Sequence, residues 1–134
     1  MIPGGGTLPF LCGRLDYCFN HDAQLLEQKK LQKSPIEYIT SGDNLYFDGI
    51  TFESNALMNA VSLVGDERIM FGTDHPFFPP PGFDAESNND LVWTSTAKNQ
   101  QIVHELQCQD TVKQNILSLN AQRVFGIESK EKTL

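Results

Sequence analysis

The stretch running from Arg68 through Ile69, Met70, Phe71, Gly72, Thr73 and Asp74 to His75 and Pro76 constrains this chain more than any other. Ile69, Met70 and Phe71 form a short apolar run without polar alternation. Such a run suits a strand buried on both faces, as in a parallel sheet, so a strand is expected over residues 68–73. Gly72 lets the backbone turn or be approached closely. Pro76 and the triple proline at 79–81 forbid continuation as strand or helix. The strand must therefore stop where a carboxylate, Asp74, and an imidazole, His75, stand side by side.

A partner for that strand is legible upstream. Residues 44–48 (Asn-Leu-Tyr-Phe-Asp) are aromatic and apolar at their centre and follow the turn signal Ser41-Gly42-Asp43. Residues 54–64 then place Ala56, Leu57, Ala60, Val61 and Val64 on one helical face, and Gly65 stops the helix. Strand, helix and strand within about thirty residues make a βαβ unit, whose product is a parallel pair. The fold class is α/β. In (β/α) barrels, side chains at the C-terminal ends of such strands build the active site.

Helical patterns flank this unit. Thr7 is expected to cap a first helix that holds Pro9 in its first turn, with Leu8, Leu11, Leu15, Cys18 and Phe19 as its apolar stripe. Residues 24–33 extend it or begin another, and Ser34-Pro35 opens a short segment with Ile36 and Ile39 on one side. After a loop over 79–90, a helix over 94–106 carries Ile102, Val103 and Leu106. Asp110 is expected to cap a last helix bearing Val112, Ile116 and Leu119, which continues or turns once more over 120–125. Residues 1–127 read as one unit and 128–134 as a polar tail.

The formal net charge of −7 argues against nucleic acid, whose phosphates want a basic face, and against anionic membranes. No apolar run nears the roughly 20 residues that span a bilayer. Three cysteines, Cys12, Cys18 and Cys108, form no C-x-x-C pair, which fits a reducing cytoplasmic setting. Cys12 and Cys18 read as small apolar side chains, and Trp93 as a pin for its loop. Asp84, Glu86 and Asp90 lack the ordered ligand spacing of a calcium loop.

The Gly72-Thr73-Asp74-His75-Pro76-Phe77 stretch resembles the last barrel strand of the amidohydrolase-related family, in the branch of aminocarboxymuconate-semialdehyde decarboxylase and related aromatic-acid decarboxylases. Two further stretches carry the same resemblance. Pro3-Gly4-Gly5-Gly6-Thr7-Leu8-Pro9-Phe10, leading to Arg14, is similar to the family's H-G-G-G loop and following helix. Residues 115–125, with Asn120-Ala121-Gln122-Arg123, are similar to its closing helix. The resemblance implies the C-terminal part of a (β/α)8 TIM barrel: two parallel strands with flanking helices. It implies that Asp74 is a metal ligand and catalytic residue, and that Arg14 reaches a substrate carboxylate across a homodimer interface. The implied cofactor is a divalent metal, zinc, and the implied partner a small carboxylated substrate.

The departures from the family pattern are specific. A complete barrel needs about 250 residues, against 134 here. The family's first-strand His-x-His and fifth-strand histidine have no counterpart, and Pro3 stands where a proton-shuttling histidine is expected. One carboxylate does not make the three- or four-ligand site that zinc requires, so this chain alone is expected to bind no metal stably. Two functions follow from these observations. One is a portion of a metal-dependent decarboxylase or hydrolase, completed by a missing N-terminal half. The other is an inactive remnant acting as an interaction module, with strand edges and an apolar sheet face left uncovered. Without the family, Asp74 would merely bond its own turn, Arg14 would pair with Asp16 or Asp22, and His21 and His104 would be solvated.

Overall fold

The computed structural model describes residues 7–22, 27, 31–41, 44–84, 86 and 93–127. The triple glycine, most of residues 24–33, Asp90 and the polar tail lie outside the described residues.

The expected βαβ unit is present. Strand β1 (Phe47–Asp48) and strand β2 (Ile69–Met70) pair in parallel, with Phe47 opposite Ile69 and Asp48 opposite Met70. The regular ladder is shorter than the runs that suggested it. At its upper end Gly49 N–H still donates to the Met70 carbonyl at 2.7 Å, but Phe71 N–H turns away to the Ile116 carbonyl at 2.7 Å. At its lower end Arg68 belongs to a 3-10 turn (Asp66–Arg68) and not to the strand. Its guanidinium faces the ends of two helices, donating to the carbonyls of Ile39 (2.8 Å), Thr40 (2.7 Å) and Val64 (2.8 Å). A cation that meets these carbonyls also meets the negative ends of both helix dipoles.

Among the described residues four helices are delimited before the closing segment. They are α1 (Leu8–His21), α2 (Pro35–Ser41), α3 (Ser54–Val64) and α4 (Thr94–Glu105). Thr7 occupies the cap position of α1 but makes no side-chain cap bond; Pro9 does lie in the first turn. Helix α3 is capped by Glu53, which sequence reasoning missed, and the Glu53 carboxylate accepts from Ala56 N–H at 2.8 Å. Gly65 ends α3 at φ +83°, a left-handed conformation that glycine adopts without strain.

The closing segment is α5 (Asp110–Gln114), a π-helical turn (Asn115–Leu119) and α6 (Asn120–Phe125). Gln109, not Asp110, takes the α5 cap position, and Asp110 lies in the first turn, where its charge still opposes the helix dipole. The π turn coincides with two ties to β2. It presents the Ile116 carbonyl to Phe71, and it is followed by Asn120, whose amide donates to the carbonyls of Asp66 (2.6 Å) and Ile69 (2.8 Å).

Alternation assigns each sheet face. Phe47 and Ile69 point into one cluster with Leu57, Ala60, Val64, Ile102, Val103, Leu106 and Ile116, so the helices cover that face. Asp48 and Met70 stand on the other face. The expectation of a bare apolar sheet face is not met: Asp48 is 5% and Met70 3% exposed. Exposed apolar side chains lie instead on α1 (Phe10, Tyr17) and on the loop after β2 (Phe77, Phe78). Cys12 is buried as expected, whereas Cys18 is exposed because the stripe of α1 is only partly covered. No described helix is long and apolar enough to cross a membrane.

Candidate functional site at the end of the second strand

The site is assembled where β2 runs out. Above Met70 the chain passes Gly72, which lies against Ile50. A Cβ at Gly72 would stand 2.6 Å from Ile50 Cγ1 and 2.8 Å from its Cδ1, so any side chain there would force Ile50 to move. Two residues later Asp74 adopts φ +58°, the left-handed region that Asp tolerates better than most residues. The His75-Pro76 peptide bond is cis.

The turn at Asp74 does not use the Asp74 carboxylate. Phe77 N–H donates to the Asp74 backbone carbonyl at 2.8 Å, and His75 N–H donates to Thr73 Oγ1 at 3.2 Å. Among the described residues no group hydrogen-bonds or pairs with the half-buried Asp74 carboxylate. The self-bonded turn considered from sequence is therefore made by other atoms. The carboxylate is held at a strand end by backbone geometry while its oxygens stay available.

His75 does not join Asp74. It is exposed, and its ring meets Trp93 edge-on at 4.3 Å. Trp93 also meets Phe83 at 5.0 Å, so it pins the proline-rich loop as expected. His21 is exposed and stacks on Tyr17 at 6.2 Å. His104 is exposed on α4. Arg14 is exposed on α1, and Asp16 bonds Asn20 and Ile36 N–H instead of Arg14. No hydrogen bond or ion pair joins Arg14 to Asp74 among the described residues.

Among the described residues no group of three or more His, Cys, Asp or Glu side chains is placed to hold an ion. A lone carboxylate, however available, does not fit a resident divalent metal by itself. At the opposite end of β2, a cavity of about 590 Å³ is lined by Arg68, Arg123, Asp66 and Glu67. Its arginines already donate to backbone carbonyls, Arg68 to Val64, Ile39 and Thr40, and Arg123 to Glu67. That cavity is part of the scaffold.

Comparison with known proteins matches this architecture. The 2-amino-3-carboxymuconate-6-semialdehyde decarboxylase of Dictyostelium discoideum is 30% identical over 125 residues, which is 93% of this chain and 30% of that protein. The crystal structure of Metarhizium anisopliae IDCase in apo form superposes with a TM-score of 0.75 at 33% identity, covering 95% of this chain and 33% of that one. A 5-carboxyvanillate decarboxylase from Novosphingobium aromaticivorans, solved with manganese and 4-hydroxy-3-methoxy-5-nitrobenzoic acid, shares the fold at a TM-score of 0.68 and 19% identity. The chain thus spans about a third of the length of the relatives it matches. Its two parallel strands and flanking helices are the C-terminal part of their barrel. The amidohydrolase family model matches residues 22–127, and the chain belongs to that family.

Proposed function

We propose that this chain is the C-terminal third of a metal-dependent carboxy-lyase that decarboxylates small carboxylated, aromatic or related, substrates. The observation that carries the reading is the Asp74 carboxylate, which is half-buried, unpaired among the described residues and held at the end of a parallel strand. In this reading Asp74 supplies one ligand to a divalent ion. The other ligands belong to barrel segments that the relatives carry and these 134 residues do not supply. Zinc is the ion the family resemblance suggests; the Novosphingobium neighbour holds manganese. Arg14 has no described partner on its own chain, which supports a role for its planar fork in holding a substrate carboxylate across a homodimer. This reading assigns residues 1–127 to the C-terminal portion of an amidohydrolase-related domain, and free Cys12, Cys18 and Cys108 support a cytoplasmic location. Hydrolysis is the competing chemistry on this scaffold, because fold does not fix reaction.

A chimera tests the reading. Residues 7–127 replace the matching third of the Dictyostelium decarboxylase, and decarboxylation is followed with that enzyme's own substrate. The expected result is activity that disappears with Asp74→Asn and falls with Arg14→Gln. A folded but inactive chimera, or an active Asp74→Asn chimera, would sink it. A second reading, a catalytically inactive interaction module, is favoured by one observation: no described cluster can hold a metal. It predicts that the chimera folds and stays inactive.

A further inference from the structure

Helix α1 carries an apolar stripe wider than the core it packs on. Leu8 and Cys12 turn inward against the buried cluster. One flank of the helix meets its neighbours. There Asp16 Oδ1 accepts from Ile36 N–H of α2 at 3.5 Å, and Pro9 lines a cleft with Asn59 and Leu63 of α3. Winding at about 3.6 residues per turn puts Leu11, Leu15 and Cys18 on the other flank. Their spacings of four and three residues make them one row along the helix. Leu11 is 44% and Leu15 47% exposed, and Cys18 is exposed as well. An apolar row at this spacing is the pattern by which one helix packs beside another.

The architecture says what covers that flank. The helices of a (β/α) barrel form a closed outer ring, so each lies between two neighbours. Helix α3, the crossover between β1 and β2, takes the Pro9 flank of α1. The chain supplies about a third of the length of the relatives it matches. Helix α1 is the first described element, so the helix before it in the ring belongs to the segments that these 134 residues do not supply. The outward face of α1, with Phe10, Arg14 and Tyr17, points away from the sheet and is the face that a second copy would meet first.

We propose that the row of Leu11, Leu15 and Cys18 is a docking seam for the helix that precedes α1 in the barrel. Its occupant is an amphipathic helix from the N-terminal two thirds of an amidohydrolase-family barrel, presenting apolar side chains at three- and four-residue spacing. Leu11 and Leu15 supply the buried area, and the exposed thiol of Cys18 stands at the end of the seam. The inference rests on the family to which the chain belongs and not on the decarboxylase reading, because no substrate, metal or Asp74 takes part.

The intact 134-residue chain is compared with the chimera in which residues 7–127 replace the matching third of the Dictyostelium decarboxylase. Alkylation of Cys18, followed by mass spectrometry of its peptide, reports whether the seam is covered. The expected result is fast labelling in the 134-residue chain and labelling at least about tenfold slower in the folded chimera. Buried Cys12 should label slowly in both. The double variant Leu11→Gln, Leu15→Gln should melt within about 2 °C of the parent in the 134-residue chain, where both side chains are already half exposed. In the chimera the same pair should lower Tm by roughly 5 °C or more, because only there is the row buried. The proposal is overturned if the chimera does not fold, if Cys18 labels equally fast in both proteins, or if the leucine pair destabilises both equally. It is also overturned if the 134-residue chain self-associates and the leucine pair abolishes that association, since the seam would then belong to a second copy. A folded chimera with protected Cys18 and no decarboxylation supports the seam and sinks the decarboxylase reading, so the two fail separately.

Discussion

Asn120 is the most informative single position for stability. Its side chain is 0% exposed, and Nδ2 donates to two backbone carbonyls, Asp66 at 2.6 Å and Ile69 at 2.8 Å. The Asn120 amide thus ties the closing helix α6 to the strand that leads to Asp74. Asn120→Ala removes a bond from each carbonyl: Asp66 O keeps the Ile69 N–H, so that loss is about 1 kcal/mol, and the bond withdrawn from Ile69 O costs about 1–3 kcal/mol. A small cavity adds about 1 kcal/mol. Removing Asn120 Oδ1, which has no partner among the described residues, returns about 1–3 kcal/mol. The net loss is about 2 kcal/mol, a large part of the 5–15 kcal/mol typical of a domain. At this chain length that lowers Tm by roughly 7 °C. Asn120→Asp keeps the volume but turns an acceptor toward both carbonyls. It should therefore cost at least as much at neutral pH and recover in part when protonated. Urea unfolding, followed by Trp93 fluorescence and circular dichroism together, measures both variants. A loss below about 1 kcal/mol for Asn120→Ala, or an Asn120→Asp chain more stable than the Asn120→Ala chain at neutral pH, would refute the tether.

Other positions make further tests. Gly72→Ala drives a Cβ into the Ile50 side chain and should cost about 1–3 kcal/mol in urea unfolding, as overpacking does; Ile50→Ala in the same chain should return part of that loss. Arg68→Lys replaces a planar fork that bonds three carbonyls with a point charge and should cost about 2 kcal/mol; a neutral result would show that the fork is not needed. Backbone hydrogen bonds from Asn55 and then Ala56 hold the Glu53 carboxyl below its ordinary value of 4.5. Its folded value is depressed, so its contribution is present above 4.5 and is lost as pH falls through the folded value. Glu53→Gln should therefore flatten the acid limb of a stability–pH profile; an unchanged limb would contradict the cap.

The order of elements was legible because it depends on patterns the backbone enforces. Ile69 and Met70 sit in an apolar run that only a two-sided burial suits, and Gly65 stops α3 where the periodicity ends. The place of Asp74 just beyond a strand end was legible from the run before it. What the sequence concealed is set by contacts distant along the chain. The ladder ends at Met70 because Phe71 finds Ile116, forty-five positions on, and no local pattern announces that. Asn99 illustrates the same point. It is buried on α4, donates to the Ser95 carbonyl at 3.0 Å and accepts from Phe52 N–H at 3.3 Å, although asparagine in a helix normally reads as surface. Glu53 was missed as a cap because shorter side chains usually hold that position. The left-handed conformations of Phe52 and Phe78 run against the preference of bulky residues, so no local signal announces the edge-to-face contact of their rings.

Metal retention by the 134-residue chain tests the central claim most directly. The purified protein is incubated with zinc or manganese, dialysed and analysed for metal, alongside Asp74→Ala. A single available carboxylate without companion ligands among the described residues predicts far less than one equivalent of either ion, with no difference between parent and variant. One equivalent retained by the parent and lost in Asp74→Ala would show a complete site within this chain and contradict the account.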